Sequence, residues 1–443
     1  MSLKYLTLLI IIFLVILSFL EGCSPTASVF DDHEIALNAD AEVTETWITL
    51  QTNPLKKNAT YFVLRDTLVV FEGKLDKADT LLHDENLEQA TTYIYYAYAQ
   101  QNGEKSKTVT TAITTMDTTS HDFFIEKFEW GAQSSSQFMD VFIVSPNDIW
   151  AVGEIHTEDT DKWNEDSTRW ITAYNAVHWD GTKWELKWIP FNLCGGPATT
   201  IYPMIISTFF FDKDTAEFVG GGSVTTKIGQ NFKMDCSMNS QLRGGMRHLW
   251  GLNSNNYFIS GGKGTLLHYN NNKWQFLNTQ TEIDINDIWG AEDGAGGEPY
   301  ILLPLSYKWD AGEKKLLQLK ADNSIIEENW TFQNRRLNSV WFSDKKMIFV
   351  SGAGVFARNR LKQWKEYTEL PLIFIGRIRG NNINDIFVAA DFGILAHFNG
   401  KTWKEYTEFG ELDIFRGLAF KNDLAVAVGE TNSKAVIYML KRF

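Results

Sequence analysis

Three histidines occupy matching places along the chain: His178 precedes Trp179, His268 precedes Tyr269 and His397 precedes Phe398. Imidazole is a common zinc ligand, so such a set invites a metal reading. Zinc requires all its ligands within about 2 Å of one ion. The three fall at equivalent points of different sequence units, and the symmetry relating those units must hold them apart. They are expected to pack the units rather than bind metal.

A second constellation is local. The stretch from Glu154 to Asn175 carries Glu158, Asp159, Asp161, Trp163, Glu165, Asp166 and Trp170. Carboxylates beside exposed tryptophans suit stacking on a sugar ring or holding a cation. The plainer alternative is a solvated acidic loop, since long loops vary freely. Asp293-Gly294-Ala295-Gly296-Gly297-Glu298 is acidic and flexible in composition but lacks calcium-loop spacing. No cofactor is called for, structural calcium being the one ion left open. Beyond Cys23, only Cys194 and Cys236 remain, either as a disulfide or as two separate buried thiols.

These groups must be positioned by a repeated unit of about forty to fifty residues, running from about residue 138 to the end. Its first strand is apolar, as in Met139-Asp140-Val141-Phe142 and Leu337-Asn338-Ser339-Val340-Trp341. Its second strand ends in glycine, as at Gly153, Gly261, Gly352 and Gly429. A tight turn and a tryptophan close it: Asp180-Gly181 before Trp184, Asn399-Gly400 before Trp403, with Trp274 and Trp364 in register. Trp364-Lys365-Glu366-Tyr367-Thr368-Glu369 recurs verbatim from Trp403 to Glu408. Four short strands at this period predict a propeller blade. Asp-Gly and Asn-Gly supply the positive φ of a hairpin, and the tryptophans have the area to pack between blades. The units number seven (138–194, 199–241, 242–280, 281–333, 334–370, 371–409, 410–443), the second and fourth degenerate, with six or eight also compatible. The last unit is one strand short, and His121 to Trp130 supplies that strand, closing the ring and hiding a bare edge.

The Asp-Gly turns resemble Asp-box, or BNR-like, repeats, although the motif's serine is absent. The resemblance implies a secreted propeller in which the boxes are structural. Sialidases that carry such boxes need an arginine cluster, a tyrosine nucleophile and carboxylates. Arg358, Arg360, Arg377 and Arg379 are present, but no spaced catalytic set emerges. The chain is therefore not expected to be an enzyme. The insertion is placed by the same resemblance on the face that carries most propeller ligand sites.

Residues 33–117 show period-two alternation broken by polar turns. Thr46-Trp47-Ile48-Thr49-Leu50 and Tyr61-Phe62-Val63-Leu64 read as strands, and Thr67 to Phe71 as a third, buried on both faces. Leu87-Glu88-Gln89-Ala90-Thr91-Thr92-Tyr93 resembles the E–F corner of a fibronectin type III domain, with Gln89 in place of the usual proline. The resemblance implies that Tyr93 is the corner tyrosine and Trp47 the core tryptophan of the second strand.

Ahead of this domain, Lys4 and the apolar run Tyr5 to Leu20 read as a secretory signal, too short for a comfortable bilayer span. Leu20-Glu21-Gly22-Cys23 resembles a lipobox, with Glu21 where a small residue is usual. The resemblance implies cleavage after residue 22, acylation at Cys23 and a lipid-anchored tether over 23–32; the alternative is an uncleaved anchor. Ser24 after the cysteine favours the outer membrane over the inner. The domains are thus 1–22 signal peptide, 23–32 tether, 33–117 fibronectin-like sandwich and 118–443 propeller. A net charge of -14 without a basic run excludes nucleic acid as a partner. The expected function is a non-enzymatic envelope lipoprotein whose propeller binds a protein or glycan. The alternatives are a carbohydrate-active hydrolase or lyase and an assembly factor for a membrane complex.

Overall fold

The computed structural model describes residues 28–132, 135–168, 170–196, 199–291, 299–307, 312–332, 334–371 and 373–443. Cys23, its flanking signal and part of the tether lie outside the described residues, as does the whole stretch from Asp293 to Glu298. Chain contacts divide into two compact units, Met1–Asp117 and Thr118–Phe443.

The first unit has a three-stranded sheet, in the order Glu34–Ala41, Glu45–Asn53, Asp79–Glu85. In its second sheet, Thr60–Arg65 lies between Leu68–Gly73 and Thr92–Gln101, and the latter also pairs Glu104–Lys105 and Val109–Thr114. Alternate residues of both sheets, Ile48 and Leu50 against Tyr61, Val63, Tyr95 and Ala97, form one core. Trp47 is buried, stacks on His83 at 4.0 Å and donates its indole N–H to Glu42. The Glu88 amide donates to the Tyr93 hydroxyl at 2.9 Å, tying the strand to the turn before it. One expectation fails here. Leu68 and Val69 are 55% and 49% exposed, because their strand is the edge of its sheet rather than an interior member.

The second unit is a ring. Among the described residues it contains seven four-stranded antiparallel sheets. Their inner strands are Gln137–Ser145, Ile205–Phe210, Met246–Asn253, Trp289–Ala291, Leu337–Trp341, Ile375–Asn382 and Ile414–Lys421. Each inner strand touches the next, and the seventh touches the first. The degenerate second and fourth units are therefore full blades. The seventh blade takes its outer strand from Phe123–Trp130, paired from Trp130 opposite Ala435 to Phe123 opposite Arg442.

Burial explains why second strands are almost wholly apolar. Ile348–Gly352 has no exposed residue, because blades cover both its faces. The cores lie between blades: Val426 and Ile437 of the seventh meet Val141 and Val177 of the first. The outer tryptophans extend each seam to the rim. Trp184 packs on Phe128 and Trp130, Trp364 on Trp330 and Trp403 on Tyr367, while Trp274 donates to Asp235 at 2.9 Å. Every partner belongs to the preceding blade.

Candidate functional site

The three histidines serve their own blades. His178 accompanies Asp148 at 2.9 Å, His268 Asn256 at 2.8 Å and His397 Asp385 at 2.8 Å. Each ring also lies against the aromatic residue two places beyond that partner: Trp150, Phe258 or Phe387. They hold the third strand to the second.

The glycines that end second strands shape the channel. A Cβ on Gly153, Gly352 or Gly429 would collide with the carbonyl of Gln137, Arg336 or Ile414, at the start of the same blade's inner strand. That close approach accompanies a β-bulge. Pairing slips by one residue between Phe138 and Asp140, Ile205 and Ser207, Met246 and His248, Leu337 and Ser339, Ile375 and Arg377, and Phe415 and Gly417. A bulge re-aims a side chain. The extra residues Met139, Ile206, Arg247, Asn338, Gly376 and Arg416 all line one cavity at the channel mouth, joined by Asn286 of the fourth blade.

This funnel has a volume of about 500 Å³. It lies at the end where inner strands begin, which in an up-and-down blade is also the end of the second-to-third-strand turns and the blade-to-blade crossovers. Five cations line it, Arg247, Lys263, Arg336, Arg377 and Arg416, against the carboxylates Asp284 and Asp391. Arg247 pairs with Asp284 at 2.5 Å and Arg416 with Glu430. Burial pulls the Arg336 and Arg377 guanidinium groups below their ordinary range, though arginine stays charged. The Nε atoms of all four arginines are buried without an acceptor among the described residues.

Beneath the funnel, Asp140, Ser207, His248 and Ser339, each just after a bulge, form a polar belt with Asp287 and Arg379. Ser207 donates to Asp140 at 2.6 Å and Ser339 to Asp287 at 2.5 Å. Arg379 of the sixth blade clamps both Asp287 oxygens, at 3.0 and 3.1 Å, and donates to His248 Nε2 of the third blade at 3.0 Å. Burial alone would raise the Asp287 carboxyl, but Arg379 outweighs it, with help from His248 and Arg377, and holds the group well below the usual carboxylate range. Burial lowers His248 to about 4, against the opposing pull of Asp287 and Asp140. A neutral Nε2 is what accepting from Arg379 requires. Below the belt lies a separate pocket of about 270 Å³ with an aromatic lining that includes Phe142, Trp250 and Phe420. The belt divides the channel.

The first-blade insertion shares the funnel's end. Its tip is a small hairpin, Lys162–Trp163 against Trp170–Ile171, in which the two tryptophans pair edge to face at 5.8 Å. Both are exposed. The carboxylates do not converge. Asp161 holds His156 at 2.6 Å, Asp159 accepts from Thr157 and Tyr174 at 2.5 and 2.8 Å, and Glu158 offers its backbone carbonyl to Lys162. Those two hydroxyl bonds keep Asp159 below its ordinary range, while burial and Asp159 push Tyr174 up to about 12. Trp188 stacks on Tyr174 at 4.1 Å, donates to the Ala173 carbonyl and reaches Tyr202. Trp188, Tyr202 and Leu193 extend the exposed apolar surface onto the first crossover. Cys194 of that crossover is bonded to Cys236 of the next, with Cα atoms 5.6 Å apart.

No protein-family model and no curated protein matches this sequence. Among solved structures, the chain is similar to YCF48 from Cyanidioschyzon merolae, at 14% identity over 71% of this chain and 98% of that one, TM-score 0.50. It is also similar to the extracellular domain of the putative hybrid two component system BT4673 from B. thetaiotaomicron, at 12% identity over 72% of this chain and 40% of that one, TM-score 0.50. The WD40 beta propeller domain of Doa1 aligns at 12% identity over 70% of this chain and 97% of that one, TM-score 0.45. The shared fold is the β-propeller. At such identities the likeness is one of fold, and function must be argued from the site.

The arginine cluster suggested by the sequence is split three ways. Arg377 lines the funnel, Arg379 builds the belt, and Arg358 bonds Glu328 and Tyr300 between the fourth and fifth blades. Sequence reading missed Arg247, Arg336 and Arg416. The available signal was their position beside the first apolar residues of an inner strand: Arg247 and Arg416 fill the slot of Met139 in the first blade, and Arg336 directly precedes its strand.

Proposed function

We propose that the chain is a non-enzymatic lipoprotein of the cell envelope, acylated at Cys23 and directed by Ser24 to the outer membrane rather than the inner, whose propeller docks a protein partner. The observation that carries the docking role is the exposed aromatic surface of Trp163, Trp170, Trp188, Tyr202 and Leu193 at the funnel end of the first two blades. Tryptophan and tyrosine dominate protein hot spots because they bury large area at low entropic cost. Here the stack on Tyr174 and the disulfide between crossovers hold the surface in shape before any partner arrives. The amino-terminal module, with its Tyr93 corner bond and buried Trp47, fits a fibronectin type III-like domain. The propeller units fit a loose relative of the BNR-like repeat.

Two experiments test this reading. Palmitate labelling in the native host is expected to mark the wild-type chain and not Cys23→Ser; a labelled variant would remove the anchor. Detergent-solubilised envelopes passed over the immobilised full chain are expected to yield a specific partner that Trp163→Ala/Trp170→Ala fails to retain. Equal retention by that variant, or release of sugar from envelope polysaccharide by the purified protein, would overturn the reading.

A further inference from the structure

The funnel is chemically unlike the aromatic surface beside it and asks for a different ligand. We propose that it is a binding site for a compact polyanion, a molecule bearing two or more adjacent oxyanions of the carboxylate or phosphate type, which enters head first and stops at the belt. This goes beyond the docking role and stands independently of it.

The charge balance is the first argument. Five cations and two carboxylates line one cavity, with Glu430 paired to Arg416 beside it, in a chain whose net charge is -14. Local positive excess on an acidic protein focuses anions into the concave place that carries it. The second argument is unfinished hydrogen bonding. Among the described residues, Arg247 and Arg416 are each held by a single carboxylate, while the Nε atoms of all four funnel arginines are buried without an acceptor. Buried donors without partners are costly, and an oxyanion with two oxygens in a plane matches the guanidinium fork. Burial also lowers Arg336 and Arg377, against the opposing pull of Asp391 on the first and of Asp287 and Asp140 on the second. An incoming anion would relieve that cost.

The third argument is shape. The belt closes the channel from Asp140 through His248 and Asp287 to Arg379, so no polymer can thread the ring. About 500 Å³ is more than one phosphate needs and lies within the range of small-molecule pockets. Gly244, Gly245, Gly262 and Gly376 leave the wall without side chains where the body of a ligand would lie.

The test is isothermal titration of the full chain in detergent with citrate and with pyrophosphate, at constant ionic strength. Saturable binding of at least one is expected, weakened about tenfold or more by Arg336→Gln and by Arg416→Gln, the weight of a lost charge-assisted hydrogen bond. Thermal unfolding of both variants is expected to stay near wild type, which separates lost contact from lost fold. Preference for citrate would assign the anion to carboxylates and preference for pyrophosphate to phosphates; either supports the proposal. Absence of saturable binding to both probes, or binding indifferent to both substitutions, would overturn it. Trp163→Ala/Trp170→Ala should bind the probes normally, so this site and the docking surface fail separately.

Discussion

The aromatic hairpin and the arginine funnel share one end of the propeller but are built by opposite means. The hairpin is contiguous in sequence, its carboxylates are paired at home, and its tryptophans are left to solvent. The funnel collects one bulged residue from each of six blades, with Asn286 from the fourth, and leaves cationic donors without acceptors among the described residues. A local site can be altered without consequence for the ring. A site built by symmetry inherits its geometry from backbone packing, so changes far from any ligand should damage it.

The largest expected effect tests whether the crossovers are independent of the funnel. Cys194 and Cys236 are separated by 42 residues, and removing that cross-link is expected to cost about 4 kcal/mol by the loop-entropy relation. Urea denaturation of Cys194→Ser/Cys236→Ser measures it. Partner retention by the aromatic surface should fall, whereas anion binding at the folded protein should persist.

Gly352→Ala carries the comparison to the backbone. Its Cβ would collide with the Arg336 carbonyl and push the bulge apart, at a cost of about 3 kcal/mol, and should displace Arg336 from the funnel. Denaturation midpoints and citrate or pyrophosphate titration check both parts. A glycine at a turn tip with open space around it, such as Gly229, fills no such role, although its positive φ makes substitution mildly strained.

Acid should separate the regions by pH window. His248 has a folded pKa of about 4 against an ordinary 6.5. Between those values the unfolded chain binds more protons, so stability rises with pH there and is lost as pH falls from 6.5 towards 4. The size is on the order of 3 kcal/mol for a buried group. His121, lowered to about 4 by burial and by neighbouring His397, acts in the same direction at the ring closure. Asp159 in the insertion is also lowered, but as a carboxylate: its contribution is present above the ordinary 3.8 and fades only below it. Stability measured from pH 7 to 4 should therefore fall, and His248→Gln should flatten part of that fall. The smallest effect is on stability in Trp163→Ala, expected within about 0.5 kcal/mol because the side chain is exposed.

Much of the fold was legible before any coordinates. Second strands ending in Gly153, Gly261, Gly352 and Gly429, and tryptophans following tight turns, mark blade edges because each answers a packing need of the ring. The closing strand was legible because the last unit was short. The insertion and its tryptophans were legible for being contiguous, but its hairpin was not, because the two short strands carry no alternation. The belt was not: His248 and Arg379 meet across 131 residues, and only the curvature of the ring brings them together. The funnel arginines were hidden differently. A bulge moves one residue off the alternation, so Arg247 and Arg416 read as ordinary polar positions of a strand. Leu68 and Val69 misled because apolar content was taken for burial, where the strand's place at a sheet edge decides exposure.

A high-resolution structure of the full chain grown with pyrophosphate or citrate tests the central claim most directly. The account predicts an anion seated among Arg247, Arg336, Arg377 and Arg416, above an unbroken belt from Asp140 to Arg379. An empty funnel beside an anion bound elsewhere, or a belt opened into a through-channel, would contradict it.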